Sequence, residues 1–484
     1  MASEAALARE EKLFVATQST QSQDFTNFVP GNQIYPISAF QCAQAMRTFP
    51  NEEKRNSRVR LNVVQDRFEV ATWSVSTYVK DASTVAAEPE VSPLVRATIG
   101  SGTQASATVI HSSGTNTTTI LTVTKNTYKN KAGCAILVKK GTSLGTYYEE
   151  TWITTAASSP VATKARIVVS PALGTAPIAG VAVVGSWTYM QATTSPPALA
   201  FLSVRGHTSW RVLGGTGNQM MVKAPGEGPA TMEFSGEAMK VIQTGTDALG
   251  ASVATAGVTS FTIAGSAQRF EKGSFFVLSK ASGTPSPEIV YVNGDVPTSA
   301  TTTLGNLLRG RKGTTATAWT TAAAVTISPW YPGALATTAT VSQGKPIAGY
   351  KGVVQLDGSN LVVRDIESTY MNNAVMNTGE KNNGLYVTSY SHPGFSDVTG
   401  KLTAYFRKED ARYFRDARHI RERELHIPIG DPTTGTKMVA IQNRQITFKT
   451  PALGTEDQIE ASIDWEGHGA ATSDNDAYRI AWIT

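Results

Sequence analysis

The first spacing with chemical potential is Gly141, Ser143 and Gly145, the G-x-S-x-G pattern of a nucleophile elbow. In that elbow a sharp strand-to-helix turn exposes a serine for acyl transfer, and an acid and a histidine follow later in the chain. Here Ser143 is followed by Thr146, Tyr147, Tyr148, Glu149 and Glu150, which read as another strand. In a chain this rich in glycine, serine and threonine, a turn accounts for the pattern. The six histidines are His111, His207, His392, His419, His426 and His468. None falls in H-E-x-x-H or between acids at ligand spacing, and His419 and His426 are expected on the surface of a helix and its exit. Arg309, Arg311 and Lys312, between Gly310 and Gly313, lack the spacing and terminal Lys-Ser/Thr of a phosphate loop and read as a turn with exposed charge. Cys42 and Cys134 lie far apart, without metal or redox spacing, and read as reduced thiols. No set of residues supplies nucleophile, base and oxyanion donors together. The sequence therefore predicts neither an enzyme nor a metal or cofactor site.

The composition points to a β-rich chain. Of the 484 residues only 17% are charged, and glycine, alanine, serine, threonine and valine are abundant, which favours strands and turns. The net charge of +5 is a small difference between 43 basic and 38 acidic residues spread along the chain, weak support for a nucleic-acid partner. The first residues carry early acids and no sustained apolar core, unlike a signal peptide. No apolar run is long enough to span a bilayer, so a soluble protein without a membrane anchor is expected.

The elements are organised by a repeated strand. In residues 69–80, Ala71, Trp73, Val75 and Val79 share one face, with Thr72, Ser74, Ser76 and Tyr78 on the other. Residues 398–407 repeat the pattern: Val398, Leu402, Ala404 and Phe406 face one way, Thr399, Lys401, Thr403 and Tyr405 the other. Two further landmarks recur in the same order. Gln219, Lys223 and Pro225 match Gln445, Lys449 and Pro451 with equal spacing, and Glu233-Phe234-Ser235-Gly236 matches Asp464-Trp465-Glu466-Gly467. Ordered landmarks at matched spacing indicate duplication, with residues 60–80 equivalent to 387–407. A helix is expected after each strand: a short one from Ser92 to Ile99, and a longer one over about 409–423 bearing Arg412, Arg415, Arg418 and Arg421. The charged segment 47–67 reads as a solvated loop placed to make contacts. Residues 104–192 and 245–345 break the symmetry. Both are Thr/Ala/Gly-rich and β-patterned, and they are read as two small all-β modules at loop positions, dispensable for assembly.

These landmarks together resemble the tail tube (major tail) proteins of long-tailed bacteriophages, in the double-domain form where one chain carries two tube domains. The resemblance implies a mainly β protein with two duplicated β-sandwich, barrel-forming domains, each with a flanking helix. The first domain is expected over 1–103 and 193–244, an inserted module over 104–192, a second module over 245–345, and the second domain over 346–484. The implied function is a structural virion protein that stacks as rings into a tube for genome delivery. Single-domain members close the ring with six copies, so two domains per chain imply a homotrimer with pseudo-sixfold symmetry. Tape-measure and terminator or tip proteins are the implied partners. DNA passes without specific binding, and assembly takes place in the host cytoplasm. The loop before the core strand implies ring-to-ring contacts at Glu52, Glu53, Lys54, Arg55, Arg58 and Arg60. An adhesin with carbohydrate-binding modules is the alternative, although it would not need the internal duplication. A depolymerase would need clustered carboxylates in a cleft.

Overall fold

The computed structural model describes residues 10–21, 26–52, 62–82, 88–105, 107–112, 116–124, 132–142, 145–161, 164–192, 195–281, 284–295, 301–320, 325–335, 344–378, 385–387, 391–392, 394–405, 412–431, 438–454, 459–469 and 476–483. Among the described residues strands hold 54% and helices 6%, which places the fold in the mainly β class. Among the described residues the α-helices are Ser92–Thr98 and Arg412–Arg418.

Alternation sets the organising strands. In Ala71–Tyr78 every second residue is buried, and Asp397–Tyr405 buries Val398, Leu402 and Ala404. Each strand therefore lays one face on the core and leaves the other to water.

One topology then occurs twice. In the first half Gln41–Ala43 pairs with Ala71–Tyr78, which pairs with Thr231–Ala238, which pairs with the C-terminal part of the long strand Thr208–Ala224. The N-terminal part of that long strand lies between Ala198–Arg205 and Lys240–Thr244. In the second half Asp365–Met371, Asp397–Tyr405, Glu460–His468 and Met438–Phe448 follow in the same order. Arg423–Gly430 and Arg479–Ile483 flank the N-terminal part of the last. In both halves the helix follows the organising strand.

The two sets join edge to edge. Gln219 to Ala224 pairs antiparallel with Met371 to Ile366, so four strands from each half form one antiparallel sheet of eight. The register differs slightly from that expected. An offset matching 60–80 to 387–407 sets Val75 against Leu402, yet Phe234 faces Val75 while its counterpart Trp465 faces Gly400. The slip is two residues, which preserves the face of every side chain; a slip of one would have inverted them.

Two glycines explain where aromatic bulk fits in this sheet. Trp73 sits opposite Gly236, and Trp465 sits opposite Gly400. A Cβ at Gly236 would lie 2.9 Å from Trp73 Cζ2, and one at Gly400 would intrude on the Trp465 ring. Tryptophan and glycine have exchanged strands between the halves, but each half seats a large ring over a residue without a side chain.

The modules form separate sheets with their own cores. The first is six-stranded, running from Thr108–Val109 to Ala182–Val184 in sequence, around Leu121, Ile136, Ile153 and Ile167. The second is five-stranded around Phe276, Leu278, Val290 and Trp319. Neither is loosely attached. Ala135, Leu137 and Trp152 of the first module share a buried cluster with Met438, Ala440, Ala481 and Ile483 of the second half. Phe275, Val277, Ile289 and Trp330 of the second module pack on Phe14, Leu202, Leu213 and Ile242 of the first half.

This shared core revises the expectation that the modules are dispensable. Excising residues 258–331 would uncover Phe14, Leu202, Leu213 and Ile242, and exposed apolar patches of that kind drive association. The shortened chain is expected to lose most of its soluble yield, and size-exclusion chromatography of the deletion reads this directly. A monodisperse product would show that the contact is expendable.

Candidate tube wall and stacking arms

The eight-stranded sheet presents a polar face opposite its core. Cross-strand partners share a face, so the register places Thr72, Ser74 and Ser76 beside Glu237, Ser235 and Glu233, and carries that face on through Gln219, Met221 and Lys223. It continues through Asp365, Glu367, Thr369, Asp397, Thr399, Lys401 and Thr403 to Glu460, Ser462, Asp464 and Glu466, with Thr447 beyond. Eight carboxylates on this face (Glu233, Glu237, Asp365, Glu367, Asp397, Glu460, Asp464, Glu466) stand against Lys223, Lys401 and the adjoining Lys449. The lysines are engaged: Lys223 bridges Glu233 at 3.1 Å, Lys449 bridges Glu466 at 2.6 Å, and Lys401 lies between Glu367 and Asp464. The Glu466 hydrogen bond and charge hold the Lys449 ammonium above its usual range. The face is thus net acidic although the whole chain is net basic.

The sheet ends in two edges. Among the described residues no strand covers the outer side of Gln41–Ala43, nor that of Thr447 and Phe448. The equivalent stretch of the first half, Gln219 to Ala224, is covered by Asp365–Met371. The chain therefore contains within itself an example of how its own free edge can be covered.

Two arms leave one end of this sheet. The segment expected to be a solvated loop is in its described part a β-hairpin, Met46–Pro50 paired with Val63–Phe68, with Phe49, Val63 and Val64 exposed. Asn51 donates to the Asn62 side chain at 2.9 Å near the tip, and Arg47 lies 4.0 Å from Asp66. Glu52 is exposed; Glu53, Lys54, Arg55, Arg58 and Arg60 lie outside the described residues.

The second half has its own arm, between Asp365–Met371 and Asp397–Tyr405, where Val375–Met376 pairs with Ser391–His392. Sequence reading missed it because the segment is Asn/Gly-rich and lacks the charge run that marked the first arm; its position between equivalent strands was the available signal. Phe395 is 96% exposed and Val375 66%. The arms touch where Phe68, at the base of the first, donates its N–H to the Leu385 carbonyl at 2.9 Å and stacks its ring on Tyr386 at 4.9 Å. At the opposite end of the sheet Tyr350 and Val362, 60% and 56% exposed, line a cavity of about 400 Å3 with Tyr405, Arg364 and Pro428. Apolar surface thus lies at both ends of the strands, as a repeating head-to-tail contact requires.

Residues 290–467 match the phage tail tube protein family. The matched span opens within the strand Glu288–Val292 and closes at Gly467, taking in the second arm, the organising strand, its helix and the strands that follow. No curated protein matches the chain. The resemblance read from the paired landmarks is therefore supported over residues 290–467, a span that takes in part of the second module as well as most of the second half.

Of the groups singled out for possible chemistry, Ser143 lies outside the described residues, while Arg309 and His426 have structural places. Arg309 is buried against Glu288, bonded to it at 2.5 and 2.8 Å, and Trp319 Nε1 donates to the same carboxylate at 3.1 Å. It is a core ion pair, which corrects the reading of an exposed turn for that residue; Arg311 and Lys312 are exposed as expected. Among the described residues no group of three His, Cys, Asp or Glu side chains is arranged to hold a metal.

His426, expected at the surface, is 2% exposed, with Nε2 3.1 Å from Glu424 Oε1. It lies where the first module meets the second half, beside Trp152, whose Nε1 donates to Glu150 at 2.7 Å. Burial holds the Glu150 carboxyl above its usual range, against the opposing pull of His426 and of the Trp152 hydrogen bond. A carboxyl whose folded-state value is raised favours folding while protonated, and that contribution fades as pH rises through the ordinary carboxylate range toward the raised value. Glu150→Gln keeps the hydrogen-bond acceptor and removes the buried charge. The variant is expected to gain thermal stability over the parent at pH 8 and to lose that advantage at pH 4, as read by paired melting curves.

Proposed function

We propose that the chain polymerises as stacked rings into a phage tail tube, the conduit for genome delivery. The observation that carries this reading is the continuous eight-stranded sheet, which joins the two halves edge to edge yet retains a free edge on each side. Free edges seek partners, and closing a sheet on itself removes them. Each chain contributes two tube domains, residues 1–103 with 193–244 and residues 346–484, while the modules at 104–192 and 245–345 lie outside the wall. Three chains form a ring, with the strands 71–78 and 397–405 alternating around the lumen.

The polar, net acidic sheet face lines that lumen. Like charges on wall and nucleic acid repel, and a wall that binds no phosphate lets DNA pass without holding it. The arms reach to the adjacent ring, with Glu52, Glu53, Lys54, Arg55, Arg58 and Arg60 at the contact. Mixed signs there set register more than they add affinity. The other partners are the tape-measure protein and the proteins that cap the tube at its terminator and tip. The protein assembles in the host cytoplasm and resides in the virion tail.

Negative-stain microscopy of concentrated protein tests this reading. Tubes or rings are expected from the parent chain. Arg55→Glu with Arg58→Glu should shorten the tubes and leave isolated rings. A protein that stays monomeric at every concentration would exclude the proposal.

A further inference from the structure

At the arm end of the sheet one large side chain stands clear of the protein. Phe395 is 96% exposed, yet the turn that carries it is tightly held. Gly394 N–H donates to the Asn373 carbonyl at 3.1 Å, and Asn373 Nδ2 donates to the Phe395 carbonyl at 2.9 Å and to Asp397 Oδ2 at 2.6 Å. A Cβ at Gly394 would lie 2.7 Å from the Asn373 carbonyl oxygen, so the turn closes around a residue without a side chain. An apolar ring presented on a braced turn gives up little freedom when it is covered, which is the property of an interface anchor.

A socket lies at the far end of the same strand. Asp397–Tyr405 runs about 27 Å from beside Phe395 to Tyr405. There a cavity of about 400 Å3 opens among Tyr350, Val362, Arg364 and Tyr405, with the buried Val354 and Ile366 in its wall. Its rim is fixed by close backbone approach: Gly352 has a φ of +116°, and a Cβ there would intrude on the Pro428 carbonyl. Arg364 already bonds Glu460 and lies 3.7 Å from Asp365. Its charge is met, and its guanidinium plane is free for a ring to lie on. A dry cavity of roughly 150 Å3 takes a benzene ring, so this one has room for a phenylalanine side chain.

We propose that Phe395 of one chain seats in the Tyr350, Val362 and Tyr405 cavity of a second copy in the adjacent ring. The inference rests on the stacked-ring reading above and names the contact that joins the rings. Knob and socket sit at opposite ends of one strand, so copies shifted along it engage head to tail without limit, whereas a two-fold would set knob against knob. One seat is small. A phenylalanine buries roughly 200 Å2, and doubling that for the socket falls well short of the roughly 1,200 Å2 of a stable pair. Single chains therefore stay apart, and the seats hold when those of a closed ring engage at once.

The test follows tube growth of the full chain by pelleting across protein concentrations, with rings and tubes counted by negative stain, for the parent, Phe395→Ser and Val362→Asp. Each variant should keep the parent's melting temperature and its rings, and should raise the concentration needed for tubes at least about tenfold, the loss expected from one anchor. In assembled protein carrying Phe395→Cys with Tyr350→Cys, mild oxidation should give a ladder of linked chains that neither single variant gives. Unchanged tube growth in Phe395→Ser, or no ladder from the assembled double variant, would overturn the pairing and leave ring closure standing. Loss of rings in Phe395→Ser would overturn it too, because the side chain would then serve closure. A parent chain that forms no rings overturns the stacked-ring reading and the pairing with it. If Val362→Asp melts early, Phe395→Ser decides, because that side chain has almost no packing to lose.

Discussion

Cryo-electron microscopy of assembled particles, with symmetry left free, is expected to show three chains per ring. Each chain supplies eight strands to one sheet, so a ring of three would close a wall of about twenty-four strands, spaced about 4.8 Å apart, with a circumference of about 115 Å before tilt widens it. The junction inside the chain supplies the pattern for the junction between chains. Gln219 to Ala224 is covered by Asp365–Met371 in the same molecule. Thr447 and Phe448 occupy the equivalent place with an open side, and Gln41–Ala43 is the first-half counterpart of Asp365–Met371. A neighbour's Gln41–Ala43 laid along that side would repeat the internal contact and carry the sheet around the ring. Six chains in one ring would refute the count, and a map with those two edges apart would refute the pairing.

A second large effect is expected at Gly400. Gly400→Val should lower unfolding stability by about 3 kcal/mol or more, the upper range for forcing bulk into a packed site. A Cβ at this position enters the Trp465 ring and crowds the Glu367 carbonyl, so rotamer choice offers no escape. Trp465 is 1% exposed and part of the central core, and displacing it disturbs the sheet from inside. Thr72→Val, on the exposed face of the first organising strand, should change stability by no more than about 0.5 kcal/mol and serves as the control. Chemical denaturation of both variants makes the comparison. A Gly400→Val protein as stable as the parent would show that the tryptophan can move freely.

The parts of the fold legible in the sequence were those written in side-chain alternation. Trp73, Val75, Val398 and Leu402 announce their strands because a half-buried strand needs apolar residues every second position. The offset between the halves was not legible to the residue, because a slip of two leaves the alternation unchanged; the seating of Trp465 over Gly400 decides it. The second arm escaped notice because Asn, Gly and Ser describe loops and short hairpins alike. His426 and Arg309 were misjudged because their burial comes from partners that only the folded sheet brings beside them, Trp152 for one and Glu288 with Trp319 for the other. The acidic sheet face was hidden for the same reason: its carboxylates come from four strands, and only pairing brings them to one side.

The strand Ser186–Met190 pairs on one side with Gly102–Ala105 and on the other with Arg479–Ile483, with Ser186 opposite Ile483. Trp482 also donates to the Lys80 carbonyl, 402 positions earlier. As the chain leaves the ribosome from its N-terminus, the first half cannot complete its packing until these late residues emerge. A chain truncated before residue 479 would lack the strand that pairs with 186–190. Long-range closure of this kind slows folding, and it ties the packing of the first half to a strand of the second.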